Sequence, residues 1–417
     1  MLFGEGVFLR GFVVPMLDDL RRAGKFEGGV TVVKPRPKRP GQTTLDDLRR
    51  SGGAYSVVLR GLRDGEPVNE ERRVDVIRAA LDSQTQWPEV LAAARDPKLR
   101  YIFSNTTEQG LTAKPEDDLD ASPPLSFPAK LAALLRERFG HFGNAAAAGV
   151  VVLPCELVER NGGRLRGLVL DALTDDASAS WVAEHCVFAD TLVDRIVVGK
   201  PDDSEDSLTV AAEPFGLLAI AGPNGLRDEL PLHETGVDVV WGDVVPVRER
   251  KVRVLNGLHV AMAVLGPPLG LETTREAMED ERLGPFLRAM LREEILPFVA
   301  GDRDEVERFA EQTVERMLNP HIRHLLTAIA VGLPEKFVIR LEPSLRRGLA
   351  TRRGGGTRRL SLVLTVLADA APASPTLEAL LREPTVADAV AQERRELAAA
   401  GLVDRLEALT PREVQLA

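Results

Sequence analysis

The chain has 417 residues, more than one hydrophobic core ordinarily supports, so two domains are expected. Its hydrophobic content of 44% and charged content of 28% are those of a folded globular protein, and a net charge of −10 gives no general attraction for nucleic acid or anionic membrane. No segment approaches the roughly 18 apolar residues of a membrane span, and the first residues lack a charged-then-apolar signal pattern. Cys155 and Cys186 are the only cysteines and do not form a CxxC pair, so a reducing compartment, the cytoplasm, is expected.

Taken in chain order, the first informative stretch is Met1-Leu-Phe3-Gly4-Glu5-Gly6-Val7-Phe8-Leu-Arg10. Two glycines make a tight turn with exposed backbone N–H groups, and an amphipathic helix follows. A turn feeding a helix N-terminus is how dinucleotide folds cradle phosphate, although the third glycine of that fingerprint is absent here. An ordinary glycine turn remains the alternative. Val30–Val33, Tyr55–Arg60, Leu99–Ser104 and Gly149–Pro154 read as strands, with helices at Trp87–Arg95 and Ala129–Phe139 between them. Apolar runs that break off into small polar residues, such as Asn105-Thr106-Thr107-Glu108, mark the ligand-binding carboxyl ends of parallel strands. The expectation is an α/β fold with a Rossmann-like domain over residues 1–245. Residues 246–417 are expected to form a mostly helical domain, with helices at Lys251–Leu265, Thr273–Met278, Leu283–Phe298, Asp302–Leu318 and Pro320–Val331. Ala368–Pro375 reads as a linker before two closing helices, and Thr351–Arg359 as a basic, glycine-rich stretch with no specific signal.

Lys251-Val-Arg-Val-Leu-Asn256-Gly-Leu-His259 places three reactive side chains on one predicted helix. At about 100° per residue, Asn256 lies about 140° and His259 about 80° around from Lys251. Apart from Arg253 the rest of the helix is apolar, and burying a lysine, an amide and an imidazole along it is costly for packing alone. The trio suits ketone–alcohol interconversion. A partly desolvated Lys251 exchanges a proton with the substrate oxygen, Asn256 donates to a developing alkoxide, and His259 fixes the substrate or tunes the lysine. The competing reading is structural: a snorkelling lysine, an asparagine at a backbone kink and a satisfied core histidine. His321 and His324 form an H-x2-H pair on a predicted helix. No HExxH or Cys/His cluster accompanies them, so no metal site is expected, with His324 facing substrate and His321 at the surface.

A set of blocks, in order from residue 3 to about residue 345, resembles the mannitol-dehydrogenase-like family of long-chain polyol dehydrogenases, specifically its tagaturonate (altronate) reductase branch. They include Phe3–Arg10, Tyr55–Gly61, Ser104–Glu108, Ser126–Lys130, Leu153–Leu157, Thr191–Ile196, Arg250–His259, Asn319–His324 and Lys336–Leu345. The resemblance implies a metal-independent, nicotinamide-dependent reductase acting on a small keto sugar acid. It implies Lys251 as general acid/base, with Asn256 and His259 polarising the substrate oxygen and Lys336 close to substrate. It also implies that the Phe3–Phe12 stretch, through Phe3, Gly4, Glu5, Gly6, Val7, Phe8 and Arg10, and the turn Asn105, Thr106, Thr107 and Glu108 hold the dinucleotide.

The chain departs from the family pattern at two of these places. Only three residues precede the glycine turn, where a strand of about five or six is usual, so a shortened first strand and weakened cofactor affinity are expected. Asp190 stands where relatives carry an oxyanion-holding asparagine, and a carboxylate there must be paired or protonated to tolerate an alkoxide. A sugar acid needs a cation for its carboxylate, and Arg195, Arg253, Arg340 and Lys336 are the candidates by block position. NAD is the expected cofactor. NADP is not excluded, because the second strand ends on the basic run Lys34-Pro-Arg36-Pro-Lys38-Arg39. The alternatives are a fructuronate or mannitol-type dehydrogenase, or a non-catalytic dinucleotide-binding homologue.

Overall fold

The computed structural model describes residues 1–351, 357–370 and 374–411. They form two compact units, Met1–Arg60 with Val68–Val244, and Gly61–Pro67 with the described part of Val245–Ala417.

The first unit opens with β1 (Leu2–Phe3), α1 (Val7–Gly11), α2 (Val13–Arg22), β2 (Val30–Lys34), α3 (Thr44–Arg50), β3 (Tyr55–Arg63), β4 (Glu66–Val74) and β5 (Ile77–Asp82). It continues with α4 (Trp87–Ala94), β6 (Tyr101–Ser104), α5 (Phe127–Phe142), β7 (Val151–Pro154), α6 (Asn161–Ala172), α7 (Asp176–His185) and β8 (Val187–Phe188). β9 (Asp190–Asp194), β10 (Val197–Val198), β11 (Val210–Ala212), β12 (Leu217–Ala221), α8 (Leu226–Glu229) and β13 (Asp238–Trp241) complete it. The main sheet has the order β5-β2-β1-β6-β7-β8, and its paired strands are parallel. Alternate side chains point to opposite faces. Leu2, Val32, Phe103 and Leu153 therefore pack with Leu9, Phe12 and Met16 on one side. Phe3, Val33, Ile102 and Val152 pack with Trp87, Leu131 and Leu165 on the other. Burial on both faces explains the continuously apolar strands.

β1 is only two residues long, yet it sits inside the sheet, with Leu2 opposite both Val32 and Phe103 and Phe3 opposite both Val33 and Ser104. Arg138 of α5 is fully buried and donates to four carbonyls, those of Ala148 and Ala94 at 2.6 Å, Asp96 at 2.8 Å and Leu99 at 3.0 Å. Its guanidinium also lies 4.8 Å from the Phe142 ring centroid, so the cation is held by backbone dipoles and an aromatic face.

The second unit holds α9 (Val244–Arg253), α10 (Leu255–Leu265), α11 (Thr274–Glu279), α12 (Leu283–Met290), α13 (Arg303–Met317), α14 (Leu326–Ile329) and α15 (Leu333–Arg340). α16 (Glu342–Ala350), α17 (Arg358–Ala370), α18 (Pro375–Leu381) and α19 (Pro384–Ala408) follow. α10 is buried round nearly its whole circumference and packs against α11, α12, α14, α15 and α17, as its almost unbroken apolar sequence requires. A side chain on Gly257 would come within 2.9 Å of Leu341 Cδ2, so this glycine lets α10 lie close to the chain leaving α15.

Several sequence-based expectations need correction. The Tyr55 strand is not part of the main parallel sheet. It extends to Arg63 in a second sheet of order β10-β11-β3-β4 and turns back through Asp64 (φ 54°) and Gly65 (φ 80°). β5 was not foreseen, because Ile77-Arg-Ala-Ala-Leu-Asp82 has neither clean alternation nor β-branched residues beyond the first. The helix expected over Lys251–Leu265 divides into α9 and α10 at Val254 (φ −78°, ψ −68°), a local distortion that stays right-handed helical and across which Val254 N still donates to Arg250 O at 2.9 Å and Leu258 N to Val254 O at 3.1 Å. Leu283–Phe298 passes from α-helix to a π-helical turn at Leu291–Ile295 and a 3₁₀ turn at Leu296–Phe298. Of Pro320–Val331 only Leu326–Ile329 is α-helical, so His321 and His324 lie on an extended connection and not on one helix face. In the basic stretch and the linker, residues 352–356 and 371–373 lie outside the described residues.

Candidate functional site

Because the strands run parallel, the carboxyl ends of β1, β2, β6 and β7 share one edge of the first unit. The glycine turn leaves β1 at that edge. Gly4 has φ +134°, and its N–H donates to Val33 O at 2.9 Å. A Cβ there would stand 3.0 Å from Asn105 O, so only glycine fits without strain. Gly6 caps α1 with φ −66°, and a Cβ there would meet nothing within 4 Å. Its bareness therefore leaves open space beside the turn and answers to no crowding within the fold.

The other side chains of this segment divide by role. Phe3 is buried against Phe127, with ring centroids 5.1 Å apart. Arg10 is buried behind the turn, donating from Nε to Glu5 O at 3.2 Å and from Nη1 to Leu208 O, while its own carbonyl accepts from Tyr55 Oη at 2.7 Å. Phe3 and Arg10 are thus scaffold. Glu5, Val7 and Phe8 are half-buried and Gly6 is exposed, so these remain at the open side. Glu5's carboxylate accepts from Gln42 Nε2 at 2.6 Å.

The second turn, after β6, is held from beneath by Glu156. This buried carboxylate accepts from Thr106 N at 2.8 Å, Thr106 Oγ1 at 2.9 Å and Ser104 Oγ at 3.0 Å. Burial lifts its pKa above the usual carboxylate range, against the pull of those hydrogen bonds. Asn105 Nδ2 donates to Cys155 O at 2.8 Å. Thr107 takes φ +75°, an uncommon conformation for threonine, and its Oγ1 accepts from Arg36 Nη2 at 2.7 Å. Glu108 is exposed at the start of a 3₁₀ turn.

Two residues of the first unit expected to face substrate have definite partners. Asp190 Oδ1 accepts from Gly163 N at 2.9 Å at the start of β9, a backbone bond that ties it to the first turn of α6. Arg195 is buried, with Nε on Phe215 O at 2.8 Å, Nη2 on Pro214 O at 3.1 Å and its guanidinium 5.5 Å from the Phe12 ring centroid. Those bonds give Arg195 a structural occupation and remove it from the candidates for a substrate carboxylate.

In the second unit, Lys251 is half-buried in the last turn of α9, Asn256 half-buried at the start of α10, and His259 buried one turn further. The His259 and His324 rings lie 4.8 Å apart at 64°. Burial lowers the pKa of His324, which favours its neutral form. His324 is placed by backbone pairing, its carbonyl accepting from Thr274 N at 3.0 Å beside the Thr273–Leu325 bridge. Lys336, on α15, donates from Nζ to Ile329 O at 2.8 Å. Its pKa is lowered by burial and secondarily by Arg340, one turn on. Arg253 pairs with Glu249 at 2.8 Å, whereas Arg340 is half-buried and lowered by burial. His321 is exposed. Among the described residues, no group of three or more His, Cys, Asp or Glu is placed to hold a metal ion.

The second unit therefore brings His259 and His324 into contact, with Asn256 one turn before His259 on α10 and Lys336 on a helix packed against α10. Glu156 and Asn161 follow the Gly149–Pro154 strand in the sequence without a role assigned to them, and Gln42 carries no sequence signal. Asn161 is fully buried, with Nδ2 on Pro154 O at 2.9 Å and Oδ1 accepting from Thr191 N at 2.8 Å.

Residues 1–234 match the family model of the mannitol dehydrogenase Rossmann domain, and residues 243–369 that of the mannitol dehydrogenase C-terminal domain. An altronate oxidoreductase of Pectobacterium carotovorum is 38% identical over 384 residues, covering 88% of this chain and 77% of that enzyme. One of Halalkalibacterium halodurans is 40% identical over 356 residues, covering 82% and 69%. Among solved structures, a substrate-free D-sorbitol dehydrogenase superposes with a TM-score of 0.81 at 20% identity, covering 98% of this chain and 94% of that one. A Pseudomonas fluorescens mannitol 2-dehydrogenase in complex with NAD and D-mannitol gives 0.67 at 20% identity, covering 98% and 93%. By both domain models and by these relatives, the chain belongs to the mannitol dehydrogenase family.

Proposed function

We propose that this protein is a nicotinamide-dinucleotide-dependent oxidoreductase that interconverts a keto sugar acid of the tagaturonate type and its altronate-type alcohol. The observation that carries the reading is the α10 constellation, in which Asn256 and buried His259 are one turn apart, the His324 ring lies against His259, and half-buried Lys251 is on the preceding helix. The names of the relatives support the substrate class.

The glycine turn and the Asn105–Glu108 turn fit a dinucleotide, since the space outside Gly6 is open and Gly4 admits no side chain. Such a cofactor supplies or accepts the hydride at the substrate carbon. Lys251 gives a proton to the carbonyl oxygen as the alcohol forms and takes it back in the reverse direction. The Asn256 amide donates to that oxygen as charge develops, and His259 with His324 fixes its position. With Arg195 and Arg253 engaged elsewhere, Arg340 remains for the substrate carboxylate, together with Lys336, whose Nζ donates one N–H to the Ile329 carbonyl and keeps two others. Burial lowers both, and an anion between them would restore their charged forms. The thiols of Cys155 and Cys186, both free and buried, support a cytoplasmic setting, and no helix among the described residues is long and apolar enough to cross a membrane.

Steady-state rates with tagaturonate, fructuronate and fructose as acceptors test the reading. Tagaturonate is expected to be turned over best. Lys336→Ala or Arg340→Ala should raise its KM by roughly 10- to 100-fold while sparing fructose, the loss expected for a charge-assisted hydrogen bond. Turnover of fructose alone would place the protein among neutral polyol dehydrogenases. Dinucleotide binding without turnover of any acceptor would make it a non-catalytic homologue.

A further inference from the structure

The loop that leaves β2 bears on which dinucleotide is used. In a parallel dinucleotide-binding sheet, the adenosine ribose lies beside the end of the second strand, and an acidic residue there grips its hydroxyls when the cofactor is NAD. Here β2 ends on Lys34, and the residues that follow are Pro35, Arg36, Pro37, Lys38 and Arg39. The basic residues are not equivalent. Lys34 is buried and bonded to Asp82 at 3.3 Å, and exposed Lys38 is paired with Asp46 at 2.8 Å. Arg36 is exposed and meets neutral acceptors only, the Thr106 carbonyl and Thr107 Oγ1 at 2.7 Å. The Arg39 guanidinium is exposed and has no partner among the described residues.

Residues 35–43 carry no carboxylate, and the acids around the loop are each engaged by neighbouring groups. Glu5 accepts from Gln42 at 2.6 Å, which also ties the loop to the glycine turn. Asp82 accepts from Lys34 and from Gln84 N at 2.9 Å. Asp47 accepts from Thr43 at 2.8 Å and Ser207 at 2.7 Å. Lys38, with Arg49 adding to it, holds Asp46 below the usual carboxylate range. No unpaired acid on the loop is left to take the ribose hydroxyls, and two arginines stand there without a charged partner.

We infer that Arg36 and Arg39 form a subsite for a phosphate monoester on the adenosine ribose, so that the protein binds NADP(H) in preference to NAD(H). The inference rests on the dinucleotide reading above and departs from the NAD expected from the family resemblance. Arg36 already lies on the Thr106–Thr107 turn at the carboxyl end of β6. A guanidinium exchanging neutral acceptors for a phosphate gains paired, charge-assisted hydrogen bonds.

Calorimetric titration of the full-length protein with NADPH, NADH, 2′,5′-ADP and 5′-AMP tests this without turnover. NADPH should bind at least about tenfold more tightly than NADH, with the same ratio between 2′,5′-ADP and 5′-AMP. Arg36→Ala should collapse both ratios towards one; because Arg36 also braces the Thr106–Thr107 turn, the ratios and not the absolute affinities are the readout. Arg39→Ala should lower the ratios in part, and Arg36→Lys should retain part of them. NADH binding as tightly as NADPH, or ratios unmoved in Arg36→Ala, would overturn the subsite and leave the dinucleotide reading intact. If none of the four ligands binds, the dinucleotide reading falls and the subsite with it.

Discussion

The carboxyl edge of the first unit and the α10–α15 region of the second treat charge in opposite ways. At the sheet edge, buried polar groups are met with hydrogen bonds from several directions. Glu156 is held by Thr106 and Ser104, Asn161 by Pro154 and Thr191, and Arg10 by Glu5 and Leu208. Around α10 and α15, His324, Lys336 and Arg340 are displaced by burial, and no carboxylate appears among the causes. The first arrangement fixes backbone turns in advance of a ligand, which is what tight nucleotide binding requires. The second lowers the proton affinity of its bases by burial, so that an anionic ligand brought beside them would be drawn to their charged forms.

The contrast can be broken from either side. Removing the amide at the second site should have the larger effect. Asn256→Ala is expected to lower kcat roughly 100- to 1,000-fold, the loss typical of an oxyanion donor, with dinucleotide affinity unchanged in a titration. Glu156→Ala should do the reverse. It leaves Thr106 N–H and two hydroxyls without their acceptor, at about 1–3 kcal/mol, and should weaken dinucleotide binding by about 5- to 150-fold while kcat at saturation changes little. Equal losses in both readouts for both variants would mean that the two regions are not functionally separate.

The smallest expected effect concerns acid stability. His324 has a folded pKa below its ordinary value of about 6.5, so below that pH the unfolded chain binds more protons than the folded one. Stability should therefore be complete above about pH 6.5 and fall as the pH drops through that value. Denaturant titrations of His324→Gln should show a flatter dependence between about pH 5 and 7 than the wild type.

The sequence made some of this legible and concealed the rest for physical reasons. The strands at Val30–Lys34, Tyr101–Ser104 and Val151–Pro154 are readable because burial on both faces demands unbroken apolar runs. Tyr55–Arg63 carries the same signal into a different sheet, since apolar content does not reveal which neighbour a strand will choose. The His321–His324 spacing suggests a helix, but the backbone of this segment is committed to the Thr273–Leu325 bridge and its neighbours. At the candidate site, Asn256 and His259 stand out as polar residues on an apolar helix. The occupation of Arg10 and Arg195 by backbone carbonyls is a tertiary fact, and no local pattern separates such arginines from ligand-binding ones. Glu156 and Gln42 act through partners about 50 and 37 residues away, beyond the reach of any local motif.

In the proposed mechanism, Lys251 exchanges the proton with the substrate oxygen. The most direct measurement is tagaturonate turnover by Lys251→Ala, with and without added methylamine, beside the wild type. The variant should bind dinucleotide normally and turn over about 100- to 10,000-fold more slowly, and the amine should restore part of the rate through its protonated form, less so as the pH rises and deprotonates it. Near wild-type turnover in Lys251→Ala, or a lost rate that no small amine restores while substrate and dinucleotide still bind, would contradict that role.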